Sequence, residues 1–344
     1  MISRSKYGGI LRAAVVAMIV AAVVAVLFIW KSADSNPLEK MSLYVIPDTQ
    51  AAQQAKYSGL QSRPADNAAM RQLAAEPMAE WFNGGSPADV EHRAHVLAVN
   101  AAKMGKTLVG VVYNRPNRDC QGKSAGAQLT NDDYRAWVLG LIRGLTVVDH
   151  PEFRAVLIYE PDAVAQTVGR QACLKGQAAT QLLNLLSETI SKLKTRPNLM
   201  VYLDAGHSGW FTDPDPVVTA LRTAGAEFAD GLAVNVSNFQ TTDDSLRYGR
   251  TLSDKLGGLH FVIDTSRNGA GPYLGTGDEV NDPVWCNPPG RKVGRRPSTN
   301  TNENRLDAYL WVKHTGESDG NCRPSDPPAG HWMPSYALAT LKSG

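Results

Sequence analysis

At 344 residues, 43% of them hydrophobic, the chain can bury a large core, either as one α/β barrel or as two smaller domains. Its 35 basic and 33 acidic residues leave a formal charge of only +2, so no nucleic-acid footprint follows. The basic run at 291–296 lies in a Pro/Gly loop without aromatic interleaving and reads as a solvated loop.

Arg4, Lys6 and Arg12 precede the uncharged stretch 13–30, which Lys31 closes. That length reaches the ~17 to 25 residues a spanning helix needs. The basic flank puts the N-terminus in the cytoplasm and the rest of the chain outside. Ala33 and Ser35 make one weak cleavage site, while Phe28 to Lys31 is a poor one. A retained single-pass anchor is favoured, with a cleaved export signal as the alternative. Residues 1–36 are then outside the fold, and 37–344 form a single catalytic domain.

Beyond residue 36, strand candidates fall at 43–46, 78–82, 107–113, 156–159, 199–203, 232–236, 260–263 and 308–312. Helical stretches lie between them at 89–104, 132–149 and 178–193, with a last one at 335–341. This alternation is that of βα repeats, whose crossover helices make the sheet parallel. Seven to eight units predict an α/β fold closed as a TIM-barrel-like parallel barrel. The early strands are not followed by a glycine-rich phosphate loop, which argues against a nucleotide-binding sheet.

Four apolar strands run straight into acids. The 156–159 strand meets Glu160-Pro161-Asp162, and the strand ending at Tyr113 leads to Asp119. The 199–203 strand meets Asp204-Ala205-Gly206-His207, and the last strand leads through Lys313 to Glu317 and Asp319. Loops after barrel strands share one face, so these carboxylates should line one cleft.

Cys120, Cys173, Cys286 and Cys322 have no zinc-type spacing, and two disulfides suit an exported chain. Pairing 120 with 173 and 286 with 322 would pin each long active-face loop to the next, contributing about 4 kcal/mol per bridge in the chain-entropy picture. His92 and His95 lack a third ligand and read as surface residues, so no metal is expected. The sequon at Asn235 ends a buried strand and carries no glycosylation meaning.

The motifs Val111-Val112-Tyr113-Asn114, Arg118-Asp119-Cys120, Glu160-Pro161-Asp162 and Tyr202-Leu203-Asp204-Ala205-Gly206-His207 occur in this order. They are followed by Asn235-Val236-Ser237-Asn238, Ile263-Asp264-Thr265-Ser266-Arg267-Asn268-Gly269, Trp285-Cys286-Asn287-Pro288-Pro289-Gly290-Arg291 and Trp311-Val312-Lys313 with Gly316-Glu317 and Asp319-Gly320. Over residues 43–340 the chain resembles the bacterial endoglucanases of glycoside hydrolase family 6. The resemblance implies a distorted parallel barrel that hydrolyses β-1,4-glucan with inversion; no cofactor and a monomeric state are expected.

An inverting hydrolase needs a protonated acid and an activated water, with carboxyls ~6.5 to 9.5 Å apart. Asp162 is the expected acid. Asp119, a like charge nearby, should raise its pKa together with partial burial, and loss of Asp119 is expected to move the acidic limb of the rate profile. The base stays open. Asp319 is one candidate, although Arg267 and Lys313 could pair with it and weaken it. Asp119 acting through waters is the other, although Ala125 stands where the family has a relay serine, with Ser124 beside it.

Asp204 is assigned to fixing neighbouring groups or sugar hydroxyls. Trp81, Trp210 and Trp285 look like sugar platforms, and Tyr113 like the tyrosine that crowds the ring at the scissile bond. Lys313, Glu317 and Asn238 complete the expected substrate contacts. The resemblance implies that processive members roof the cleft with a long insertion after the Asp319 position; residues 320–331 are too few for that, which predicts an open cleft and internal cutting. The alternatives are an exo-acting cellobiohydrolase of the family, a catalytically dead, membrane-held glucan-binding protein, or a barrel enzyme for another envelope polysaccharide.

Overall fold

The computed structural model describes residues 35–57, 63–120, 122–126, 128–169, 173–278 and 280–342, and the first elements among them are α1 (Gln50–Lys56) and α2 (Pro64–Ala74). Then come β1 (Glu80–Phe82), α3 (Pro87–Lys103), β2 (Leu108–Val112), α4 (Asn131–Gly144), β3 (Ala155–Tyr159), α5 (Ala163–Val168), α6 (Gln177–Leu193) and β4 (Leu199–Asp204). The remainder is α7 (Asp215–Thr223), β5 (Gly231–Val234), α8 (Thr242–Lys255), β6 (His260–Asp264), β7 (Leu306–Leu310) and α9 (Pro334–Lys342). Ser86 and Thr130 start α3 and α4 with reciprocal capping boxes to Asp89 and Asp133, each worth on the order of 1 kcal/mol.

The seven strands lie side by side in sequence order, and every neighbouring pair is parallel. Side chains alternate between two cores, as strand period requires. Val109, Val111, Val156, Ile158, Met200, Tyr202, Val262, Ala308 and Leu310 fill the inside of the curl. Leu108, Val112, Leu157, Val201, Leu203, Val234 and Ile263 turn outward against the helices, where Trp137, Leu141, Leu186 and Ile190 meet them.

The curl is drawn together at one place. Met78, just before β1, bridges Trp311, just after β7, and the Ala79 N–H donates to the Trp311 carbonyl at 3.1 Å. No ladder longer than this bridge joins β1 to β7 among the described residues, so the sheet is a half-barrel with an open seam.

The segment at 43–46 does not form an eighth strand. β1 already occupies the Gly110–Val112 edge of β2, which leaves only Thr107 to bridge Leu43, and Pro47 ends the segment without a donor for any ladder. β7 begins and ends two residues earlier than 308–312, because Trp311 leaves it for the seam. Helix α4 stops at Gly144 rather than 149.

Both disulfides pair as expected, Cys120 with Cys173 and Cys286 with Cys322. The expected anchor at 13–30 lies outside the described residues, and among those described no helix is long and apolar enough to cross a membrane. From Leu38 onward the chain forms one unit.

Gly231 shows how tightly the interior is closed. A Cβ there would lie 2.6 Å from the His260 carbonyl and 2.7 Å from the Tyr202 ring. Gly231→Ala should therefore cost about 1 to 3 kcal/mol of stability by overpacking. Urea denaturation reads this directly, and an unchanged midpoint would contradict it.

Candidate active site

The C-terminal ends of β2, β3, β4, β6 and β7 all deliver acids to one side of the sheet. At the end of β3, Glu160 and Asp162 both take left-handed backbone, with φ of 46° and 68°, as Asp119 does at 54°. Such residues store roughly 1 to 3 kcal/mol of strain each and are held there by their surroundings. The twist sends alternate side chains opposite ways. Glu160 turns into the wall, accepting from the Asn114 N–H at 3.0 Å and the Tyr134 hydroxyl at 2.8 Å. Asp162 stays only partly covered.

Asp162 is pinned through its backbone, which donates to Asp204 Oδ1 at 2.9 Å. The same oxygen accepts from the Gly206 N–H at 3.1 Å. Burial, then the negative charge of Asp119 and more weakly that of Asp319, push the Asp162 carboxyl up to about 6 against the pull of Arg115. Asp204 is pushed well above the usual carboxylate range, first by burial and then by the charge of Asp162. Its Oδ2 is buried without a hydrogen-bond partner, which suits a neutral acid better than an anion.

Asp119 accepts from the Ser124 N–H at 2.8 Å and from Gln166 Nε2 at 3.3 Å. Gly122 makes that seat possible, since a Cβ there would stand 2.3 Å from Asp119 Oδ2. The neighbouring Arg118 spends its donors on the carbonyls of Tyr113 at 2.6 Å and Ser124 at 3.0 Å, and lies over the Tyr113 ring at 4.8 Å.

Asp319 is fully engaged. Arg267 Nη1 reaches its two oxygens at 3.0 and 2.8 Å, Lys313 Nζ stands 3.6 Å away, and the Asn287 N–H donates at 3.0 Å. Burial works to raise its pKa, but the two cations win and hold it below the usual range. Arg267 is itself buried over Phe239 at 4.4 Å. Arg267→Gln should release Asp319 upward, so that a carboxyl now ionised throughout the working range titrates within it. Carbon-13 NMR of the Asp319 carboxyl measures this, and a resonance that stays ionised down to the same pH in the variant would contradict it.

The expected sugar contacts divide into open and occupied. Trp285 is 48% exposed on the loop after β6, and Trp210 is partly exposed, stacked on Phe211 at 6.0 Å and beside His207 at 5.1 Å. Trp81 donates its indole N–H to the Val312 carbonyl at 2.9 Å and meets Tyr113 edge-on at 5.3 Å. Tyr113 is buried beside Asp162 and Asp119, and burial followed by those charges raises its hydroxyl far above the ordinary range. Lys313 is spent on Asp319 and the Ser318 carbonyl, and Glu317 on His314 at 2.7 Å. Asn238 closes its own turn, its Oδ1 accepting from the Phe239 N–H at 2.9 Å. His92 and His95 are exposed on α3. Asn235 is buried with its amide given to the Asp264 carbonyl at 2.8 Å, closed to glycosylation in the folded chain.

Asp264 is an acid to which the sequence reading gives no role. It accepts backbone N–H bonds from Ser237, Ser266, Val312 and Lys313, at 2.8 to 3.2 Å, and so ties together the ends of β5, β6 and β7. The apolar run 260–263 leading into it is the same signal that marks the other acids. Gln166 is a second residue of this cluster that the sequence does not reveal. It joins buried Arg115 to Asp119, and one amide on a short helix gives no sequence cue.

A parallel half-barrel with a proton-holding acid beside a second carboxylate, and indoles along the same face, has the layout of an enzyme working by acid-assisted glycoside cleavage. The family model for glycosyl hydrolases family 6 matches residues 38–343, and the chain belongs to that family. It is similar to Endoglucanase A of Cellulomonas fimi, 38% identical over 311 residues that are 89% of this chain and 62% of that one. The 1,4-beta-D-glucan cellobiohydrolase C of Emericella nidulans is 30% identical over 370 residues, 91% of this chain and 79% of that one. Among solved structures, the endoglucanase Cel6 from Mycobacterium tuberculosis, in complex with methyl-cellobiosyl-4-deoxy-4-thio-β-D-cellobioside, matches with a TM-score of 0.81 at 34% identity, covering 90% of this chain and 99% of that one.

Proposed function

We propose that the protein cuts internal β-1,4-glucosidic bonds of a cellulose-like glucan with inversion, as a monomer outside the cytoplasm. The observation that carries this reading is the seat of Asp162 just past β3, its N–H held on Asp204 Oδ1 at 2.9 Å, where burial and the negative charge of Asp119 push its carboxyl up to about 6 from the ~3.9 of a free Asp. Asp162 gives that proton to the bridging sugar oxygen. Asp119 keeps the proton on Asp162 and draws one from the attacking water through further waters. Asp319 is too strongly paired to act as the base and instead holds Arg267 and Lys313 at the cleft wall. Ser124, next to Ala125, offers the hydroxyl for that water chain, while its backbone N–H holds Asp119 at 2.8 Å.

Trp81, Trp210 and Trp285 offer rings for the apolar faces of successive sugars, and Tyr113 crowds the ring at the scissile bond. The two disulfides support export, and 37–344 is the catalytic part. The exo-acting reading draws on one contact. Lys123 on the Asp119 loop hydrogen-bonds Asn321 on the Asp319 loop, at 3.0 and 3.2 Å, so the two loops touch.

The full chain on soluble carboxymethylcellulose separates these readings. Internal cutting drops viscosity steeply for few new reducing ends. Steady release of reducing sugar at constant viscosity would overturn the endo reading, and inactivity on every β-1,4-glucan would overturn the whole assignment.

A further inference from the structure

His314 lies at the open seam of the half-barrel, between the loop after β7 and the start of β1. Its Nδ1 is 2.7 Å from Glu317 Oε1, and its Nε2 is 2.6 Å from the Ala79 carbonyl oxygen. Both partners are acceptors. Only an imidazolium can donate to both at once, since a neutral ring has one N–H and one lone pair. We propose that His314, as an imidazolium, is a positioning residue that clasps the seam, holding Glu317 and the Trp81 edge in place for a sugar chain and releasing them when it loses its proton.

The clasp is part of a short chain of contacts. Ala79 also gives its N–H to the Trp311 carbonyl, and two residues on, Trp81 donates its indole N–H to Val312. Of these hydrogen bonds closing the seam beside β1, only the one from His314 can be switched by a proton. The sugar half of this inference rests on the proposed function, and the clasp itself does not.

Charged groups face His314 from each side. Glu317 and Lys313 lie on its own loop, Glu80 on β1, and Arg93 of α3 pairs with Glu80 at 3.5 Å. Burial pulls the imidazole down and Lys313 does too, but the Glu317 carboxylate and the Ala79 carbonyl prevail and hold it above its ordinary value. Glu317 is held low, since burial is outweighed by His314 and Lys313. Glu80 is raised by burial despite Arg93. A histidine raised on folding stabilises fully below its unfolded value, about 6.5, and that contribution is lost as pH rises through the folded value. The seam should therefore loosen on the alkaline side.

Nitrogen-15 and proton NMR of the histidine-labelled full chain tests the clasp. The expected result is both ring nitrogens of His314 protonated at pH 6.5, with a midpoint above that of a free imidazole, falling in Glu317→Gln. A neutral ring at pH 6.5, or a midpoint unmoved in Glu317→Gln, would overturn it. Calorimetric titration with the thio-linked tetrasaccharide methyl-cellobiosyl-4-deoxy-4-thio-β-D-cellobioside, whose sulfur-bridged bond resists cleavage, at pH 5.5 and 8.5 tests the consequence. Binding should weaken about tenfold at the higher pH in the native chain, and show no such change in His314→Gln, whose thermal melt confirms folding. Equal affinity at both pH values in the native chain would overturn the coupling. No binding at either pH would instead overturn the glucanase reading and with it the sugar half, while the ring titration decides the clasp.

Discussion

Asp162→Ala should lower kcat on a β-1,4-glucan by about 10³, within the 10² to 10⁴ that a positioned general acid supplies. The loss should fall as heavily on kcat/KM, because the proton matters only as the glycosidic bond breaks. Leaving-group chemistry adds a sharper check. An aryl cellobioside with an acidic phenol needs little protonation, so the variant should recover much of its rate on that substrate while staying slow on glucan. The backbone N–H that Asp204 accepts belongs to residue 162 whatever its side chain, so the pin does not depend on the carboxyl that the variant removes. Full activity on glucan would remove Asp162 from the acid role.

Asp119→Asn should have the next largest effect, and its signature is a displaced pH profile as well as a loss of rate. Removing the like charge lowers the Asp162 pKa from about 6 toward the ~3.9 of a free Asp. A general acid fails when it ionises, so the limb that moves is the alkaline one, toward lower pH. This corrects the acidic limb expected from sequence. Above the midpoint the protonated fraction of the acid falls about tenfold for every tenfold weakening of its hold on the proton. If Asp119 also accepts the water's proton, the maximal rate falls by a further factor on the order of 10². The pH profile of kcat/KM separates the two contributions, and a variant whose alkaline limb stays in place would deny Asp119 any hold on that proton.

The acids are legible in the sequence because a buried parallel strand is a continuous apolar run, and its end is marked by the first charge. That rule locates Asp162 and Asp204 and points to Asp119 and Asp319. Applied to the 260–263 run it also marks Asp264, whose role is hidden because the motif around it draws attention to its neighbours. Seven of the eight strand candidates form the parallel sheet that the same alternation predicts. The seam does not, because a single bridge from Met78 to Trp311 leaves no periodic trace. Nor can pattern foresee that β1 takes the edge of β2 that the 43–46 segment needs. The nine-residue α7 is short and the 14-residue α8 is predominantly polar, so neither stands out between stronger apolar runs. Side-chain commitments are the least visible: Lys313 and Glu317 read as sugar contacts, yet each already has a charged partner at its own loop.

Everything chemical here depends on one proton being kept on Asp162 by its burial and by Asp119. Carbon-13 NMR of the Asp162 carboxyl, titrated in the native chain and in Asp119→Asn, measures that proton without substrate. A midpoint near 6 in the native chain that falls in the variant is the expected result. A midpoint near the free-Asp value in both chains would contradict it.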